Sequence, residues 1–92
     1  MIDEQKEFME ELRVIQDFIV ENLLIQEKKF ENTKSLLQEA TYQAIYMCME
    51  LIDGYGQKLK KYEIRVSETG VILNSRHSLH DKCEDFLECS NV

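Results

Sequence analysis

Two stretches of this chain carry apolar residues around more of their circumference than one small core can cover, and this limits what the chain can fold into. Phe8, Leu12, Ile15, Ile19 and Leu23 recur at spacings of 4, 3, 4 and 4, the pattern of a single buried helical stripe. Val14, Phe18 and Ile25 form a second row about a quarter-turn away, with Met9, Val20 and Leu24 on the other flank. Further along, Leu37, Ala40, Ala44, Cys48 and Leu51 make one stripe, and Tyr42, Tyr46 and Met49 lie on the far side. Ninety-two residues form one domain, 1–92, with a modest interior. The surplus rows therefore call for a second copy of the chain or another protein.

The pattern predicts a helix over about 3–31. Asp3 is placed to cap it, Glu4 and Glu7 suit its positive end, and Lys28 and Lys29 suit its negative end. Asn32, Thr33 and Ser35 are capping residues, and Ser35 with Gln38 reads as a capping box, so a second helix is expected over about 35–53. One long bent helix is the competing reading. Gly54 supplies a left-handed exit, and the short connection favours antiparallel packing.

From Lys60 to Val66, Tyr62, Ile64 and Val66 alternate with Lys61, Glu63 and Arg65, the period of a strand with one apolar face. Ser67-Glu68-Thr69-Gly70 reads as a turn and Val71-Ile72-Leu73 as the returning strand, giving a β-hairpin over about 60–74. Ser78 is placed to cap a final helix over about 78–88, with Leu79, Cys83, Phe86 and Leu87 on one side. The expected class is α+β, mainly α, in the order ααββα: an antiparallel helical hairpin, a β-hairpin and a short C-terminal helix.

The net charge of −7 disfavours direct nucleic-acid binding, which relies on Lys and Arg. Residues 1–25 carry seven acids against Lys6 and Arg13, while residues 58–65 carry four bases against Glu63. Solvated faces explain this most simply; charge matching within a dimer or with a partner is the sharper reading. No 18-residue apolar run suggests a membrane span. The acidic start, Met1-Ile2-Asp3-Glu4-Gln5, is unlike a secretory signal. Three scattered cysteines without a CxxC fit free thiols in a reducing compartment. The chain is therefore expected in the cytoplasm.

The most site-like cluster is His77, His80 and Cys83, with Asp81 and Glu84 close by. His80 and Cys83 share a helix face, and His77 joins them only if the helix begins early. Yet a structural zinc ion takes four ligands at recognisable spacings, and the fourth would have to come from Glu84, Asp81 or another subunit. These three are weak metal candidates, and no cofactor is expected. A cysteine nucleophile needs a basic partner and access, which only a particular geometry of Cys83 and His80 would provide. The neighbours Glu10 and Glu11 diverge on a helix, and Asp53-Gly54-Tyr55-Gly56 has no phosphate-loop lysine. No enzyme activity is expected.

Tyr42, Tyr46 and Met49 are better placed for contact with a partner, since Tyr and Met are enriched at interfaces. Val14, Phe18 and Ile25 are the matching candidates on the first helix. The stretch Glu50-Leu51-Ile52-Asp53-Gly54-Tyr55, the turn with Thr69-Gly70, and Leu79-His80-Asp81 resemble small uncharacterised proteins of Gram-positive bacteria and their mobile elements over residues 47–88. The resemblance implies a bacterial or phage origin and no activity.

The leading expectation is a small acidic protein-binding module, a homodimeric regulator or inhibitor of the immunity or anti-defence type. One alternative is a nucleic-acid mimic that fills a basic cleft with the acidic face Glu7, Glu10, Glu11, Asp17 and Glu21. Others are a metal-dependent sensor or enzyme at His77, His80 and Cys83, and a subunit of a larger assembly.

Overall fold

Helix α1 spans Asp3–Gln26, and the computed structural model describes residues 2–89 of the chain around it. Met1 and residues 90–92, the ends of the expected domain, lie outside the described residues. Ile2, not Asp3, occupies the cap position, because Gln5 reaches back to accept the Ile2 N–H at 3.2 Å. The helix tightens into a 3₁₀ turn at Glu27–Lys29 and stops.

Helix α2, Thr33–Glu50, begins earlier than Ser35 because Asn32 is the cap: its Oδ1 accepts the Ser35 N–H at 2.8 Å. Gln38 has no part in a capping box. Its amide instead donates to Glu88 Oε2 at 2.8 Å, tying α2 to the far end of the chain. The two helices are separate and lie antiparallel, so the start of α1 meets the end of α2. Of the predicted stripe on α2, Leu51 is buried at 2 % exposure and Ala40, Ala44 and Cys48 are half-buried, but Leu37 faces out and Leu36 packs in its place.

α2 runs on into a π-helical turn, Leu51–Tyr55, which ends where Gly54 takes a φ of 103°. That left-handed value is strained for any side chain. The chain then turns back across the start of α1. The Tyr62 N–H donates to the Ile52 carbonyl at 2.8 Å, and the Tyr62 ring meets Phe8 edge-on with centroids 5.0 Å apart.

The expected β-hairpin over 60–74 is not present. Among the described residues there is no strand and no sheet, only an isolated antiparallel bridge between Arg65 and Ile72. The physical reason is Asn74. Its side chain accepts the Ile64 N–H at 3.2 Å and donates to the Tyr62 carbonyl at 2.7 Å, taking backbone groups that a ladder would use. The Tyr62 N–H is already held by α2's exit. Pairing is left to the tip, where Gly70, at φ 75°, turns the chain back. The ααββα order and the α+β class are therefore replaced by a mainly helical fold.

The final helix is also shorter than predicted. A 3₁₀ turn, His80–Lys82, leads into a single turn, α3, Cys83–Phe86. Ser78 makes no cap; the His80 N–H is instead accepted by Asp53. Cys83 is buried, but Phe86 is 82 % exposed rather than packed beside it.

Candidate functional site

The apolar core is thin. Among the described residues Ile19, Leu23, Leu51 and Cys83 are its buried members, and three polar residues are buried with them: Glu11, Asp53 and Asn74. What α1 leaves outside is correspondingly large. Phe18 is 55 % and Ile25 84 % exposed, with Val14 exposed on the same flank and Met9, Val20 and Leu24 exposed on the opposite one. Between α1 and α2 lies an open trough of about 710 Å³, lined by Met9, Leu12, Ile19, Val20, Ala44 and Cys48.

The row on α2 is placed differently. Tyr42, Tyr46 and Met49 are half-buried. Tyr42 stacks on Tyr46 at 6.0 Å, and Tyr46 meets the His80 ring at 5.7 Å. Burial raises both tyrosine pKa values, helped at Tyr46 by the charge of Glu50. The C-terminal segment thus covers part of the α2 row, whereas the Val14, Phe18 and Ile25 row on α1 stays bare.

Asp53 is the centre of a buried polar knot, with its side chain 2 % exposed. Its Oδ2 accepts the His80 N–H at 3.0 Å and the His80 Nδ1–H at 2.7 Å, and its Oδ1 accepts from Asn74 Nδ2 at 3.4 Å. Burial pushes the carboxyl's pKa up, but the donors from His80 and Asn74 outweigh it, and the pKa falls below its ordinary value. The His80 ring is bracketed by Tyr46 and Tyr55, whose centroid lies 5.1 Å away.

A buried carboxylate holding Nδ1 is the arrangement that orients a catalytic imidazole. Here the other nitrogen, Nε2, lies 3.3 Å from Asp81 Oδ1 rather than beside a nucleophile. Cys83 Sγ lies against the Leu79 carbonyl at 3.9 Å, and burial followed by the charge of Asp53 pushes its thiol pKa up. The geometry joins α2's exit to the C-terminal segment.

The three metal candidates are not brought together. His77 is exposed in the link, His80 is committed to Asp53 and Cys83 is buried. Among the described residues no group of three His, Cys, Asp or Glu could hold a metal ion. The acidic face is also broken up. Glu7 pairs with Lys60, which lowers the pKa of Glu7 and raises that of Lys60, so part of the charge matching occurs within the chain. Glu11 is buried, and Glu10, Asp17 and Glu21 remain exposed.

Sequence reasoning missed the inward roles of Glu11, Asp53 and Asn74. Glu11 left a signal: it falls three residues after Phe8 and four before Ile15, on the buried side of α1. Its Oε1 accepts the Lys58 N–H at 3.0 Å, while Oε2 is buried without a hydrogen-bond partner. Beside it is a cavity of about 240 Å³ whose lining includes Glu11, Val14, Phe18, Met47, Glu50 and Tyr55.

No helix among the described residues is long and apolar enough to cross a membrane. Comparison with protein-family models, curated proteins and solved structures gave no match.

Proposed function

We propose that this chain is a non-catalytic protein-binding module that works as a homodimer and regulates or inhibits a target protein. The observation that carries this reading is the pair of bare apolar flanks on α1. The chain exposes 7200 Å², whereas a folded monomer of 10.9 kDa exposes roughly 5,600 Å². Its radius of gyration is 14.9 Å, against roughly 12 Å for a compact domain of this length. Surface of this kind is stabilised by company.

The two flanks have separate uses. The flank that exposes Met9, Val20 and Leu24, with the trough beside it, receives the same surface of a second copy, and two helical hairpins face to face make a four-helix bundle. Val14, Phe18 and Ile25 then remain for the target. The module acts in the cytoplasm, where Cys48, Cys83 and Cys89, all free, stay reduced.

Light scattering tests this. The expected mass is about twice 10.9 kDa for a symmetric dimer, falling to the single-chain value in the double variant Val20→Asp, Leu24→Asp. A single-chain mass at every concentration for the unaltered protein overturns the dimer.

A further inference from the structure

The cavity beside Glu11 is more specific than an apolar flank. A buried carboxylate oxygen without a donor is costly, and Glu11 is 6 % exposed with Oε2 in that state. Glu50 is a second acidic residue of the lining, and the remaining walls include Val14, Phe18, Met47 and Tyr55. Anionic groups set among apolar and aromatic walls match a cation on a hydrocarbon stem.

We propose that this cavity receives the ammonium end of a lysine side chain carried by the target protein, which deepens the protein-binding reading and rests on it. A lysine stem packs on apolar walls while its tip reaches a polar group. The rings of Phe18 and Tyr55 favour a cation through their π electrons. Lysine is preferred to arginine because Oε1 already holds the Lys58 N–H. Oε2 is closed off until the carboxylate turns toward the cavity; one remaining oxygen then suits a point charge, whereas a guanidinium fork is best matched by both. Val14 and Phe18 belong both to the cavity wall and to the bare flank, so a target covering that flank closes the cavity over its own lysine.

The test uses n-butylammonium as a lysine mimic, titrated into the full chain and followed by amide NMR shifts at constant ionic strength. Saturable shifts at Glu11, Phe18 and Tyr55 are expected in the millimolar range, with n-butanol and n-butylguanidinium binding more weakly. Glu11→Gln keeps an acceptor for the Lys58 N–H and is expected to weaken amine binding roughly tenfold, the loss of one charge-assisted hydrogen bond. Phe18→Ala trims an exposed side chain, leaves the fold intact, and is expected to weaken binding several-fold; it carries the test alone if Glu11→Gln does not fold. Butanol binding as tightly as the amine, or folded variants binding like the unaltered chain, overturns the proposal. A monomer that binds the amine supports the site while overturning the dimer; a dimer blind to the amine overturns the site alone.

Discussion

Asp53, in the π-helical turn that follows α2, accepts both the backbone N–H and the ring Nδ1–H of His80, a residue 27 positions further on. One carboxylate thereby ties the exit of α2 to the C-terminal segment and starts its turn. Replacing Asp53 with Ala leaves three donors, two from His80 and one from Asn74, without their acceptor. Breaking a buried charged contact from one side costs about 3–5 kcal/mol, a large part of the stability of a small domain. Urea unfolding is the measurement, and Asp53→Ala is expected to lower the midpoint far more than Asp81→Ala, whose side chain is exposed.

The same contact sets a pH dependence. The pKa of Asp53 is lowered in the folded chain, so the folded state binds this proton less readily than the unfolded chain does. Its contribution is complete above the unfolded carboxyl value of about 4 and is lost as pH falls through the lower folded value. Acid titration of thermal stability should therefore fall more steeply below pH about 4 in the unaltered chain than in Asp53→Asn.

Gly56 is required for space, not for conformation. Its φ of −74° is open to any residue. A Cβ there, however, would stand 2.5 Å from Leu51 Cδ1 and 2.8 Å from Glu11 Oε1. Leu51 is fully enclosed and cannot swing aside. Gly56→Ala is expected to cost about 1–3 kcal/mol, the usual range for overpacking, measured by chemical unfolding.

How much of this was legible in the residues differs from element to element. The stripe from Phe8 to Leu23 located α1, because helical periodicity is a local property repeated over several turns. The glycine exit at Gly54 was equally local. The hairpin misled because alternation of Tyr62, Ile64 and Val66 reports a half-buried extended chain, not what its backbone bonds to. That outcome is decided by Asn74 and by Ile52, the first at the far end of the segment and the second on another element. The Asp53–His80 contact was hidden for the same reason, since each residue alone reads as a helix end.

Leu59 is the one non-glycine residue of positive φ among those described, at 54°, and its side chain is largely exposed. An asparagine tolerates that conformation better. Leu59→Asn is expected to raise stability by about 0.5 kcal/mol, read as a small upward shift in melting temperature.

The three thiols are graded by access. Cys89 is exposed, Cys48 is half-buried with its pKa raised by burial, and Cys83 is enclosed with its pKa raised as well. Thiolate availability controls alkylation. Iodoacetamide followed by mass spectrometry should label Cys89 first and Cys48 more slowly, with Cys83 labelled only on unfolding.

The tip at Thr69 and Gly70 stands clear of everything else: a side chain added at Gly70 would meet no atom within 4 Å, and residues 65–71 are all exposed. The arms beneath it are fastened by Asn74, by Ile52 and by the Leu73 N–H on the Ile64 carbonyl, and these ties stand below the turn itself. The tip is consequently a permissive point of entry, where an epitope or fluorophore-bearing loop can be grafted while the ties beneath remain in place.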